Sequence, residues 1–293
     1  MTFSTWLLAT RPKTLTAALV PVLCASTLAY TIDHASFKTS LSVLALISSF
    51  LIQIGTNLVN DAIDFKKGAD TAERIGPQRV TQSGLLTPRQ VMMGAMICFA
   101  LALLTGIPLV IAGGWPLIIV GCVSLFFAYG YTGGPFPLAY LGLGDLFVLI
   151  FFGFVAVGGV YFLQTGTVDV AASVVGAQIG LLATTLIAIN NLRDREGDIR
   201  ANKRTLAVRL GVKLARVEIA LLCFLPFVLN LYWLKIHWKW ATLLPFLALS
   251  LAFKLCRDIF KTPPSAVYNQ YLGRAAGLHL LFGLLWSAGC FLR

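Results

Sequence analysis

The sequence predicts an all-α, polytopic membrane protein of about nine transmembrane helices, and three observations carry that prediction. Of its 293 residues, 58% are hydrophobic and only 12% are charged, with a mean hydropathy of +0.82, whereas soluble domains carry about 25% charged residues. Apolar stretches close to the ~20 residues that a bilayer requires recur along most of the chain. The basic residues cluster in the gaps between those stretches, as membrane topology demands.

Taken in order, the expected spans are 15–32, 41–60, 91–112, 115–131, 139–163, 170–190, 217–234, 240–256 and 275–292. The first follows Arg11, Pro12 and Lys13, and reads as a retained span rather than a cleaved leader. Gly113 and Gly114 separate the third span from a short fourth, and the eighth is polar at its end. Nine spans place nineteen of the Lys and Arg residues on the N-terminal side and four (Lys38, Lys235, Lys239 and Arg293) on the other. That asymmetry predicts a multi-pass cell-membrane protein (of the inner membrane if the source is a Gram-negative bacterium), with a cytoplasmic N-terminus and cytoplasmic charged loops. Trp6, Trp115, Trp233, Trp238 and Trp240 lie near span ends as interfacial anchors, while Trp286 lies inside the last span. Pro21, Pro108, Pro226 and Pro245 require neighbours that satisfy the carbonyls they free.

A net charge of +11 raises the question of nucleic acid, but its division among loops points instead to topology and to neutralisation of an anionic ligand. The expected partners are membrane lipid and such a ligand, not nucleic acid; no feature of the sequence reports an oligomeric state. The six cysteines form no CxxC pair and read as small buried hydrophobes. The chain, 1–293, reads as one domain with motif loops over 61–90 and 191–216.

The first loop is preceded by Gln53, Asn57, Asn60, Asp61 and Asp64, spaced as one polar stripe at the end of the second span. Such a stripe faces the bundle interior or a water-filled cavity. Two carboxylates three residues apart repel unless a cation lies between them, and a hard divalent ion such as Mg²⁺, shared with substrate phosphates, fits that need. Asp70 follows as a more distant third acid. Arg79, in a Gly-Pro-Gln-Arg-Val-Thr turn, and Lys67 are candidates to hold phosphate oxygens, although positive-inside charge needs no ligand.

The sixth span ends in the same way. Asn190, Asn191, Asp194 and Asp198 follow helical steps, with amides inside the span and carboxylates at its mouth. Lys203 and Arg204 trail by five and six residues and are placed to reach oxygens between the two acidic clusters. Arg193 and Arg195 are less specific and stay outside the expected site. Two facing carboxylate clusters around one diphosphate and its metals form a coherent site: Asp61, Asp64, Asp70, Asp194 and Asp198 as metal ligands, with Lys203 stabilising departing charge.

This arrangement suits cleavage of an allylic carbon–oxygen bond at the rim of an apolar cavity, with aromatic rings sheltering the cation. Phe126, Phe127, Tyr129 and Tyr131 cluster at the end of the fourth span, with Tyr129 taken as a substrate contact; Tyr140 and Asp145 open the fifth. Asp145 is an acid inside an apolar stretch, and either orients an aromatic co-substrate, serves as a base, or bonds a polar partner. A carrier of an amphipathic anion is the rival of another class. It leaves paired acids at both mouths unexplained, and Mg²⁺-dependent release of diphosphate distinguishes the two.

The motifs resemble those of the UbiA superfamily of intramembrane prenyltransferases over nearly the whole chain. Asn57, Asn60, Asp61 and Asp64 are similar to its first aspartate-rich motif, and Asp194 and Asp198, with Lys203, to its second. The resemblance implies nine helices around a central cavity, Mg²⁺ as cofactor, and transfer of a polyprenyl chain from its diphosphate to an aromatic acceptor. One departure concerns the third acid of the first motif in the 4-hydroxybenzoate branch, which is Gly68 here. The tracts 9–15 and 202–211 resemble the menaquinone branch, which implies 1,4-dihydroxy-2-naphthoate as acceptor with loss of its carboxylate. Spacing and periodicity do not distinguish that ring from 4-hydroxybenzoate, the alternative acceptor.

Overall fold

A computed structural model of the chain describes residues 2–70 and 74–292, and every long element among them is helical. Helix α1 (Phe3–Thr10) is followed by a 3-10 turn (Pro12–Thr14) and α2 (Thr16–Ile32). Then come α3 (Thr39–Lys66), α4 (Pro88–Gly113), α5 (Trp115–Gly130), α6 (Gly144–Thr165) and α7 (Val170–Arg200). The last three are α8 (Leu206–Leu229), α9, and α10 (Tyr268–Phe291); α9 is built from Lys239–Leu243, a 3-10 turn (Leu244–Ala248) and Leu249–Lys261.

Each of the nine expected spans overlaps one of α2 to α10, but fewer of these helices have the length and composition to cross a bilayer. Among the described residues, six helices are long and apolar enough to cross a bilayer, or seven if the bent pair Phe3–Thr14 and Thr16–Ile32, with a 54° break, counts as one span. Helix α5 has only 16 residues, and α9 is interrupted by its 3-10 turn. The chain is a multi-pass membrane protein. Arg293, counted above among the outer charges, lies outside the described residues.

The two longest helices overshoot the bilayer core furthest, and this places the motifs. Helices α3 and α7 have 28 and 31 residues, or roughly 42 and 46 Å at 1.5 Å per residue, against a hydrocarbon core of ~30 Å. Their polar final turns therefore project from it while remaining helical. The stretch expected as a loop over 191–216 is consequently helix on both sides of a short connection between Arg200 and Leu206. Of the first motif stretch, 61–66 continue α3 and 88–90 open α4, and the described residues between them, 67–70 and 74–87, form no long helix.

Close packing fixes α6 against α7. Residues Leu149–Val155 form a π-helical segment, and its Gly153 lies so near α7 that an added Cβ would stand 2.4 Å from the Gly176 carbonyl oxygen. Small residues let membrane helices approach in this way. The defect at Pro245 is answered by a side chain. Pro245 removes the donor for Ala241, whose carbonyl accepts instead from Asn230 Nδ2 at 3.3 Å. Gln178 donates to the Pro226 carbonyl at 3.1 Å and accepts from Trp233 Nε1 at 3.2 Å. Trp233 is thus fully buried and stacked on Trp238, not an interfacial anchor; Trp115 is exposed, as an anchor should be.

Candidate functional site

The final turns of α3 bring Asn57, Asp61 and Asp64 to one buried face. Asn57 donates through Nδ2 to the Thr10 carbonyl at 3.1 Å and to Thr14 Oγ1 at 3.3 Å, while its own carbonyl accepts from Arg11 at 3.2 Å. Arg11 holds the break between α1 and α2 in a left-handed conformation (φ 54°) that is uncommon for a residue with a side chain. Asn60 Oδ1 accepts from Thr132 Oγ1 at 3.1 Å. Asp64 accepts from the Tyr140 hydroxyl at 2.8 Å and lies 3.7 Å from Lys203 Nζ.

The 74–81 segment folds over this face. Asp70 pairs with Arg74 and, at 3.4 Å, with Arg79 Nε. Arg74 also reaches Asp194 at 3.5 Å, and Asn269 of α10 donates to the Ile75 carbonyl at 2.9 Å. Asn269 in turn accepts from Arg193 at 2.7 Å, and Arg193 donates to both oxygens of Asp194, at 2.8 and 2.6 Å. Asn190 Oδ1 accepts from the same guanidinium at 2.7 Å. Asp198 accepts from Thr205 Oγ1 at 3.3 Å and lies 4.0 Å from Lys203. The Arg74–Asp194 and Lys203–Asp64 pairs set both acid-bearing helix ends on one face of the bundle.

The connection between α5 and α6 closes the third side. Tyr140 carries its ring 4.2 Å from Lys67 Nζ and 5.3 Å from Lys203 Nζ, and its carbonyl accepts from the Arg204 backbone N–H at 3.0 Å. Its hydroxyl is thereby welded to the first motif and its backbone to the second. Burial lowers the Lys203 pKa, but Asp64, Asp198 and Asp194 outweigh it and leave that pKa above the usual lysine value. Burial also raises the Asp70 carboxyl against the pull of Arg74, with Asp64 reinforcing the rise. The Tyr140 phenol is pushed up by burial and by Asp64.

These residues rim a cavity of about 550 Å³. Asp64, Asp70, Asp194, Asp198, Lys203, Arg79, Asn57, Asn60, Asn190, Asn191 and Asp145 all line it, together with Arg11 and Arg74. Below the rim its walls are mostly apolar, formed by α4, α5 and α6 with the stacked pair Phe147 and Phe151, whose ring centroids are 4.0 Å apart. Leu103, Ile107 and Ile118 line it yet are also exposed on the outer surface, so the cavity opens sideways between helices. Cys122 is exposed on this wall, unlike the buried cysteines expected from the sequence.

Three expected site residues lie elsewhere. Asp61 does not line the cavity; its oxygens accept from Val80 N at 3.2 Å, Thr81 N at 3.1 Å and the Thr81 hydroxyl, so it anchors the turn that carries Arg79. Tyr129 is exposed and faces away, while Tyr131, two residues on, lines the cavity. The Arg204 side chain is exposed, and its contribution is the backbone N–H given to Tyr140. Conversely, Arg11, Arg74, Arg193, Tyr140 and Asn269 were not among the expected site residues. The one legible signal was the spacing of Asn190, Arg193 and Asp194 on a single helix end.

The rim is fit for a hard cation in one particular way. Its donors are all oxygen, buried except for the partly exposed Asp194, and faced by Lys and Arg. Yet no three acidic, His or Cys side chains among the described residues converge on one point. Such carboxylates suit an ion shared with phosphate oxygens and water, as magnesium prefers, rather than a protein-only cage.

A family model described as "UbiA prenyltransferase family" matches residues 4–274. The chain is 37% identical to 1,4-dihydroxy-2-naphthoate octaprenyltransferase of Escherichia coli over 98% of this chain and 95% of that one. It is 34% identical to the protein of the same name in Haemophilus influenzae, over 97% and 94%. UbiA prenyltransferase domain-containing protein 1 of Homo sapiens is 30% identical, over 99% of this chain and 84% of that one. Among solved structures, a UbiA homolog from Archaeoglobus fulgidus bound to GPP and Mg²⁺ aligns with a TM-score of 0.65 at 17% identity, over 97% of this chain and 99% of that one. That likeness concerns the fold.

Proposed function

The chain belongs to the UbiA prenyltransferase family, and from that premise we propose that it transfers a polyprenyl chain from polyprenyl diphosphate to 1,4-dihydroxy-2-naphthoate. The products are demethylmenaquinone, carbon dioxide and diphosphate. The observation that carries this reading is one cavity with an oxygen-and-cation rim above an apolar, aromatic-walled interior. The acceptor follows the relatives that share a third or more of its sequence over nearly their whole length.

Asp64, Asp70, Asp194 and Asp198 hold the cation-bound diphosphate at the rim, with Lys203, Arg74 and Arg79 around it. Mg²⁺, when bound, neutralises diphosphate oxygens and so stabilises the leaving group. The allylic carbon–oxygen bond breaks and its electron pair leaves with the diphosphate. Lys203 lies between the two acidic clusters, where that charge develops. Phe147 and Phe151 flank the allylic cation in a space closed to bulk water. The ring carbon that bears the carboxylate attacks, the carbon–carboxylate bond breaks, and its electrons restore the aromatic ring as carbon dioxide departs. Asp61 serves by anchoring Val80 and Thr81, and so Arg79. The chain tail leaves through the side opening toward lipid.

The same reading treats the chain as one domain of nine spans, α2 to α10, including the short α5 and the broken α9, with the rim on the cytoplasmic side. Product analysis tests it: purified protein, Mg²⁺ and one prenyl diphosphate are offered dihydroxynaphthoate or 4-hydroxybenzoate and read by mass. The decarboxylated prenyl naphthalenediol is expected only with the first acceptor, is lost with EDTA and returns with Mg²⁺. Prenylated hydroxybenzoate as the main product would overturn the acceptor, and no diphosphate release with either would overturn the reaction.

A further inference from the structure

The cavity has a second polar level beneath its carboxylate rim. Asn191 precedes Asp194 by three residues on α7, which sets it about 4.5 Å deeper at 1.5 Å per residue. Its Nδ2 donates to Asp145 Oδ2 at 3.2 Å. Asp145, at the start of α6, is only 4% exposed and lines the cavity. Its second oxygen, Oδ1, is buried and has no hydrogen-bond partner on any other described residue, its nearest donor being the Asp145 backbone N–H itself. Beside it stands Tyr131, another lining residue, whose hydroxyl would be 2.9 Å from a Cβ added at Gly144. Buried polar atoms are almost always bonded, so an acceptor oxygen left single in a substrate cavity marks a place for a donor.

We propose that Asp145, anchored by Asn191, receives a ring hydroxyl of the aromatic acceptor on Oδ1 and thereby orients the ring under the diphosphate. This rests on the prenyl-transfer reading above and adds the group on the acceptor that is recognised. The occupant must offer a hydrogen, because a second anion there would meet only repulsion. It must also be flat and apolar around that hydroxyl, since Phe147 and Phe151 line the same space. The bond does more than position. As the ring attacks the allylic cation, electron density leaves the hydroxyl oxygen and its proton becomes more acidic. The hydrogen bond to Oδ1 is therefore stronger in the transition state than in the ground state, which is the condition for accelerating the step. The proton remains on the acceptor, which leaves as a diol.

The test uses the purified full-length protein with Mg²⁺ and GPP. The acceptors are 1,4-dihydroxy-2-naphthoate and its two monomethyl ethers, at the 1- and the 4-oxygen. A site built around a substrate hydroxyl rejects the analogue that cannot donate. The wild type should therefore prefer the diol over one of the ethers by about 100-fold or more in kcat/KM. In Asp145→Asn the amide oxygen must take the Asn191 N–H, which turns the amide NH₂ toward the ligand, where it can donate to an ether oxygen. The preference for the diol over that ether should fall below about tenfold, with the KM for GPP unchanged. Asn191→Ala keeps the carboxylate without its anchor and should raise the acceptor KM alone. The proposal is overturned if the wild type uses both ethers as well as the diol. It is also overturned if Asp145→Asn keeps the full preference, or if the GPP and acceptor KM values move together in either variant. The ether comparison needs no variant, so poor folding of the mutants leaves a decisive result. A wild type that releases no diphosphate with any acceptor would instead sink the prenyl-transfer reading.

Discussion

Replacing Lys203 with Ala removes the one ammonium that stands between the two acidic clusters. Its Nζ lies 3.7 Å from Asp64 and 4.0 Å from Asp198. At an effective dielectric of about 20, each pair is worth roughly 4 kcal/mol of attraction before desolvation. Desolvation of buried ions offsets most of that, so the lysine is poorly explained as a stabiliser of the resting fold. Its value lies in the transition state, where diphosphate charge grows at this spot. Loss of one charge-stabilising group in such a site costs about 10²–10³-fold in kcat. Two carboxylates relieved of their cation should at the same time hold a divalent ion at least as tightly. Lys203→Ala is therefore expected to lower kcat by about 10²–10³-fold while the Mg²⁺ concentration for half-maximal activity stays level or falls. Lys203→Arg, which keeps the charge, should recover to within about tenfold of wild type. The assay is diphosphate release across a Mg²⁺ titration with saturating donor. The reasoning fails if Lys203→Ala retains kcat within about threefold, or if excess Mg²⁺ restores it.

Tyr140→Phe loses only the 2.8 Å bond to Asp64 and keeps the ring beside both lysines; kcat/KM for the donor should fall about 10- to 150-fold, in line with ~1.5–3 kcal/mol for a hydrogen bond to a charged group. Asp61→Ala strands the buried Val80 and Thr81 N–H groups at about 1–3 kcal/mol each, so turnover and thermal midpoint in detergent should drop together. Asp64→Asn should lower turnover with the midpoint nearly unchanged, and a stable, active Asp61→Ala would contradict the anchoring role. Arg204→Ala removes an exposed side chain, and its kcat/KM should stay within about twofold of wild type.

Hydropathy made the fold class legible because a bilayer core cannot satisfy bare backbone groups, so each crossing must be a long apolar helix. The same rule made Asp64, Asp70, Asp194, Asp198 and Lys203 stand out, since charges interrupting such helices are costly without a task. It left the side chains at helix ends ambiguous by one or two residues. Tyr131 and not Tyr129 faces the cavity, and Lys203 and not its neighbour Arg204 reaches the acids. Each step along a helix turns the side chain by about 100°, and the final residue before a loop is where composition constrains that angle least.

The sequence by itself determined a multi-pass helical membrane protein with two acid-bearing helix ends, because lipid imposes its requirements residue by residue along the chain. Only the tertiary structure decided that Arg74 meets Asp194, that Tyr140 joins Asp64 to the Lys203 turn, that Asp61 faces a loop, and that Asp145, on the cavity wall, leaves one buried oxygen without a partner on another described residue. Those contacts join residues 19 to 120 positions apart. They depend on how long helices overshoot the bilayer and how closely Gly153 lets α6 approach α7, distances set by packing between segments that no local pattern in either segment encodes.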